Sequence, residues 1–143
     1  MKCSLITYDS NNTAKPKGRS SFSVFVTEID KQNNIWTASP SGIQQVDLNT
    51  LKVTRQYTPS KDDLMLAIGG PSVLEFDFDN TLWIGTTRGL IHLDPESERF
   101  THYKNEPDNP SSLANNHVTD VLVDSKGWLW VGTDGGLHLY CLL

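Results

Sequence analysis

Trp36, Trp83 and Trp130 recur every 47 residues, and Gly42, Gly89 and Gly136 and the acids Asp30, Asp77 and Asp124 keep the same interval. A period this long, returning three times with the same residue types, requires one small structural unit to be built three times. The copies read DKQNNIWTASPSGIQQVDL from Asp30, DFDNTLWIGTTRGLIHLDP from Asp77 and DSKGWLWVGTDGGLHLYCL from Asp124. Superposing them separates what the repeated unit needs from what varies.

Ahead of each acid lies a short apolar run, Val24 to Ile29, Val73 to Phe76 and Val118 to Val123, of strand length. The acid opens a tight turn whose fourth residue is Asn33, Asn80 or Gly127. These are the residue types that accept positive φ most readily, so a shared left-handed turn residue is expected. The second strand carries Ile35-Trp36-Thr37, Leu82-Trp83-Ile84 and Leu129-Trp130-Val131, a nearly continuous apolar run that suits a sheet packed on both faces. A small residue and a hydroxyl follow, then the repeat glycine, and a third strand is predicted from Ile43, Leu90 and Leu137. Outer strands are read at Val53 to Tyr57 and at Arg99 to Tyr103. The fold class is therefore all-β, with β-propeller blades built as four-stranded antiparallel meanders, about three blades per chain.

The 143 residues read as a single propeller-repeat domain, with blades over 22–58, 71–104 and 117–143. The last blade lacks its outer strand. Residues 1–10 supply a candidate for it, because Leu5 and Tyr8 in Ser4-Leu5-Ile6-Thr7-Tyr8 have the spacing of Phe100 and Tyr103. That offset, Velcro-type strand order lets one end of a chain complete a blade at the other. Closed propellers have about four to eight blades, so three do not make a ring. Either the chain is part of a longer propeller, or it self-associates, two copies forming a six-bladed ring without open edges. Aligned on the second blade, Cys3 and Cys141 flank the turn into the outer strand, within reach of the ~5.5–6 Å Cα separation that a disulfide prefers.

Net charge is −5 and the basic residues are scattered, which argues against nucleic acid and anionic membrane surfaces as partners. No run approaches the ~18 apolar residues of a membrane span, and the first residues lack a signal-peptide core. The three repeated acids fall one per blade, where each caps its own turn rather than joining a catalytic cluster. Asp77-Phe78-Asp79-Asn80 starts like a calcium loop, but the downstream glycine and glutamate are missing. His92, His102, His117 and His138 do not recur at one blade position, so neither a metal nor a cofactor is expected.

The stretch from Asn105 to Tyr140, NEPDNPSSLANNHVTDVLVDSKGWLWVGTDGGLHLY, resembles the two-component regulator propeller repeat, in which an Asn/Pro/Ser loop leads into D-x-x-G-x-LW-[IV]-GT and a GL strand. The second copy matches nearly as well, whereas the first has Ala38-Ser39 in place of Gly-Thr. The resemblance implies the ligand-sensing, extracytoplasmic region of a bacterial hybrid two-component system, responding to glycan fragments and without chemistry of its own. The chain itself contains no kinase, receiver or DNA-binding segment.

A saccharide ligand or a partner protein is expected on the rim where the loops into the inner strands meet the hairpins between second and third strands. Residues that differ between copies are the candidates there: Arg88 for a carboxylate or sulfate, and Asp134, Asn115, Asn116 and His117 for sugar hydroxyls. Two alternatives stay open. One is a propeller enzyme of the lyase or lactonase type, which His117 near the start of an inner strand favours. The other is a structural fragment without autonomous activity.

Overall fold

The computed structural model describes residues 26–39, 42–57 and 70–142. Eleven strands run in chain order: β1 (Val26–Ile29), β2 (Asn34–Ser39), β3 (Gly42–Asp47), β4 (Lys52–Tyr57), β5 (Pro71–Phe76), β6 (Leu82–Thr86), β7 (Gly89–Asp94), β8 (Arg99–Tyr103), β9 (Val118–Val123), β10 (Trp128–Thr133) and β11 (Gly136–Cys141). They form three antiparallel meanders, β1 to β4, β5 to β8 and β9 to β11. These are the predicted blades, and no described helix is long and apolar enough to cross a membrane. The third-strand starts move by one residue, because β3, β7 and β11 begin on the glycine itself. The inner strand of blade two likewise begins earlier than predicted, at Pro71. The N-terminal segment assigned to an outer strand, including Cys3, lies outside the described residues, as do Pro40, Ser41 and the loop over 58–69.

The turn after each inner strand is built as its residues require. Asn33, Asn80 and Gly127 have φ of 63, 63 and 79°, the expected left-handed residue in each copy. The acid caps the turn: Asp30 Oδ1 accepts from the backbone amides of Gln32 and Asn34 at 2.9 and 2.8 Å. Asp77 and Asp124 do the same with residues two and four ahead. The other carboxylate oxygen has a role that the sequence did not disclose. It accepts from the indole Nε1–H of the tryptophan six residues on, at 2.9 Å in Asp30–Trp36, 3.2 Å in Asp77–Trp83 and 2.9 Å in Asp124–Trp130. Each blade thus ties its turn to its largest apolar side chain through one buried or half-buried anion.

A left-handed residue costs a β-carbon about 1–2 kcal/mol, and glycine nothing. Replacing Asn33 with alanine is therefore expected to lower stability by about 1 kcal/mol, whereas glycine, which blade three carries at this position, is expected to be near neutral. Urea melts of the two variants check this.

The blades pack face on face, with the inner strands β1, β5 and β9 side by side. Each blade presents a tryptophan face to the next blade and an aliphatic face to the one before. Trp36, Ala38 and Ile43 of blade one meet Leu74, Leu82, Ile84, Ile91 and Leu93 of blade two. Trp83 and Leu90 of blade two meet Val118, Val121, Leu129 and Val131 of blade three. Strand β6, between two neighbours, is buried at every residue, as its unbroken apolar run predicts. Blade three has no described neighbour on its tryptophan side. Trp130 is accordingly only half-buried, unlike Trp36 and Trp83, and Leu122, Leu137 and Leu139 are 53, 67 and 46% exposed.

Candidate functional site

The hairpins between second and third strands are fixed by the hydroxyl and glycine that the repeat supplies. Thr86 Oγ1 donates to Gly89 O at 2.8 Å and accepts from Arg88 N at 3.1 Å. Thr133 repeats this with Gly136 O at 3.0 Å and Gly135 N at 3.2 Å. Gly89 has φ of 133°, and a β-carbon there would lie 2.5 Å from the Tyr103 carbonyl oxygen, so the position admits only glycine. The clamp leaves two residues at the tip of each hairpin, Thr87-Arg88 and Asp134-Gly135. Backbone bonds Thr87 N to Gly70 O and Asp134 N to His117 O, both 3.2 Å, pin each hairpin to the entry of its own inner strand. The two kinds of connection therefore share one rim, as anticipated, and Ser72 Oγ bridges it by donating to Val118 O at 2.6 Å.

On this rim the structure pairs the side chains of two of the five candidates. His117 Nδ1 and Asp134 Oδ2 are 2.6 Å apart, with side chains 44 and 56% exposed. The pairing fixes the imidazole plane and leaves its other nitrogen free of any hydrogen bond among the described residues. Asn115 and Asn116 order the loop through their side-chain oxygens. Asn115 Oδ1 accepts from His117 N at 2.8 Å, and Asn116 Oδ1 accepts from Asn105 N at 2.7 Å. Asn105 Nδ2 in turn donates to Leu113 O, and the fully buried Leu113 roots the loop between blades two and three. Arg88 is exposed at its hairpin tip. Its carbonyl accepts from His102 Nε2 at 3.2 Å. Burial, with Lys104 nearby, lowers the His102 pKa.

A feature not anticipated lies beneath the same loop. A polar cleft of about 150 Å³ is lined by Tyr103, Lys104, Glu106, Asn109, Ser112 and Tyr140, among others. Its residues come from an outer strand, a loop and a third strand, so only the folded blades assemble it. Among the described residues, no cluster of three or more His, Cys, Asp or Glu is placed to hold a metal ion.

The geometry agrees with what the chain is similar to. Residues 112–135 match the family model of the two component regulator propeller. No curated protein matches the chain. Among solved structures, the extracellular domain of the putative hybrid two component system BT4673 of B. thetaiotaomicron is 22% identical, with a TM-score of 0.70 over 87% of this chain and 16% of that one. The extracellular domain of the putative hybrid two component system BT3049 of the same organism is 27% identical, with a TM-score of 0.60 over 81% of this chain and 14% of that one. A protein of unknown function from Bacteroides caccae is 15% identical, with a TM-score of 0.55 over 75% of this chain and 37% of that one. The chain thus spans less than a fifth of the two sensor domains it resembles. Three stacked meanders and a matching arrangement in those domains agree: the chain has a β-propeller fold, and its third blade matches the two component regulator propeller repeat over residues 112–135.

Proposed function

We propose that this chain is a non-catalytic, extracytoplasmic sensory segment that recognises a glycan-derived ligand on the rim of its blades. The observation that carries this reading is a division of labour among polar groups. Those repeated in every blade, the turn acid and the hairpin hydroxyl, are fully engaged inside it. Those that differ between blades, Arg88 and the His117–Asp134 pair, stand exposed on rigid hairpin tips and loop ends. A rigid scaffold with variable polar groups at one rim is how loops commonly serve recognition. The polar cleft beneath the adjacent loop adds the exposed ring of Tyr103, a surface on which a sugar face can stack. The open tryptophan face of blade three fits a segment of a larger propeller, to which further blades are added.

The test is a thermal-shift screen of acidic and neutral oligosaccharides, followed by calorimetric titration of any that bind. Binding is expected to weaken at least about tenfold in Asp134→Ala and in Arg88→Ala, a loss of roughly 1.4 kcal/mol or more. Both variants should keep the wild-type urea midpoint, since exposed side chains contribute little to stability. A panel without binders, or binders indifferent to both substitutions, would remove the rim as a recognition site.

A second reading rests on the same pair. A carboxylate 2.6 Å from an imidazole Nδ1 orients the ring as a general base would require, which is what a propeller lyase or lactonase uses. The described residues place no third group to converge on it, and the pair is open to water. The binding reading is therefore preferred.

A further inference from the structure

The four histidines are told apart by what their ring nitrogens meet. His92 Nε2 bonds to Thr81 Oγ1, whose own proton goes to Asp77, so this ring donates. His102 Nε2 donates to the Arg88 carbonyl, and His117 Nδ1 faces the Asp134 carboxylate. Each of these three bonds survives a second proton on the ring, because the partner is an acceptor in every case. His138 is the reverse. Its Nε2 lies 3.0 Å from the backbone nitrogen of Ala114 and receives that amide proton. A backbone N–H can only donate, so His138 Nε2 is bare and the ring neutral, with its proton on Nδ1. Protonation of Nε2 sets two donors face to face and removes the bond. The repeat does not require a histidine here, since Ile91 holds the equivalent place in blade two, opposite Ile84 as His138 is opposite Val131.

What this bond holds is the loop that crosses from blade two to blade three. Among the described residues, the other hydrogen bonds of residues 104–116 close within the loop or on His117: Asn105 to Asn116 and Leu113, Glu106 to Asn109 and Ser112, Asn115 to His117. Ala114 to His138 is the tie from the loop to β11. The ring is braced for it, stacked on Tyr140 at 6.2 Å with planes 18° apart. The titratable groups on the surrounding elements are Tyr140 on β11 itself, His102, Tyr103, Lys104 and Glu106 across the cleft that Tyr140 lines, and His117 and Asp134, which pair with each other. No ion pair joins His138 to any of them among the described residues. We infer that His138 is a pH-dependent latch on the 104–116 loop: the neutral ring fastens the loop to blade three through the Ala114 amide, and the imidazolium releases it. The hold is present where the ring is neutral and is lost as pH falls through the histidine range, between about pH 8 and 5. Asn115 and His117 follow Ala114 directly, and Glu106, Asn109 and Ser112 of the same loop line the polar cleft, so release unsettles both. That consequence for recognition rests on the function proposed above, whereas the latch rests on the loop alone.

The test is amide hydrogen exchange read by NMR on the full chain from about pH 8 to pH 5, with rates corrected for the intrinsic pH dependence of exchange. This interval lies well above the range in which the turn acid Asp77, with its pKa of about 2, takes up a proton. Protection of the Ala114 amide is expected to fall at least about tenfold on that descent, in step with the His138 Cε1 proton shift. The Asp134 amide, bonded to the His117 carbonyl, is expected to keep its protection. His138→Gln, whose side-chain oxygen accepts without titrating, is expected to hold Ala114 equally at both ends of the range. His138→Phe keeps an aromatic ring beside Tyr140 but offers no acceptor, and is expected to leave Ala114 as open at the upper end as the wild type is at the lower. Ala114 protection that stays level while His138 titrates, or that falls equally in His138→Gln, would overturn the latch. Full protection in His138→Phe would do the same. No oligosaccharide takes part in these readings, so a screen without binders leaves the latch standing, and a failed latch leaves the rim.

Discussion

Trp83→Ala is expected to destabilise the protein by about 3–5 kcal/mol, a large fraction of the ~5–15 kcal/mol that holds an ordinary domain together. Trp83 is 5% exposed and belongs to both blade two and the junction with blade three. One face of its indole stacks on His92, with centroids 4.1 Å apart and planes 20° apart, and Tyr103 lies 5.8 Å away. Truncation removes these contacts, opens a cavity against Leu129 and Val131, and strips Asp77 of the indole proton. Because blades bury their faces only against each other, the loss is shared by two units and should remove cooperativity between them. A urea melt with separate far-ultraviolet and fluorescence probes reads both effects. Trp130→Ala provides the contrast, for the same residue type at the equivalent position of β10 is only half-buried and is expected to cost less. Equal losses at the two positions would show that burial between blades is not what the tryptophan contributes.

Asp77→Asn is expected to cost about 2–3 kcal/mol at neutral pH and to change how stability depends on acid. Burial on its own would push this carboxyl up. The approach of His92 to 3.8 Å, with hydrogen bonds from Thr81 and Trp83, outweighs burial and lowers the pKa from 3.8 to about 2. A depressed folded-state pKa means that the carboxylate stabilises fully above the unfolded value, near pH 4 and higher. That contribution is lost as pH falls through about 2, and at ~1.36 kcal/mol per unit it amounts to about 2 kcal/mol. Asp30 and Asp124 are lowered as well, so acid acts on all three turns. Urea midpoints measured from pH 6 down to pH 2 should therefore drop in the wild type and drop less in Asp77→Asn. A midpoint that stays level in the wild type between pH 6 and pH 2 contradicts the assignment.

The blades were legible because their determinants are local and occur three times. The left-handed Asn33, Asn80 and Gly127, the capping acids and the apolar second strands each depend on residues a few positions apart, and repetition filters out coincidence. The bond from each acid to the tryptophan six residues on was equally regular. It went unread because an acid before a turn is already accounted for by capping, and nothing in the spacing says where its second oxygen points. The candidate site was legible as a rim but not as a set of contacts. His117 and Asp134 are 17 residues apart, and they meet because the hairpin and the strand entry are bonded through Asp134 N and His117 O. Asn115 and Asn116 read as candidate ligand groups by residue type, and the spacing did not disclose that their side-chain oxygens also order the loop backbone. The cleft beside Tyr103 and Tyr140 draws on positions from three segments, which no pattern along the chain could have joined.

The two unlike faces of each blade give the stack a direction. A blade offers a tryptophan side forward and an aliphatic side backward, so a further blade stacked as these three are joins head to tail. On the open side of Leu137 and Trp130, a blade stacked in the same sense would set its aliphatic side against the tryptophan side. Such a blade would repeat the same rotation from blade to blade. Growth by a constant rotation ends in a closed circle or winds into a helix, and the small angle fixed at each junction decides which.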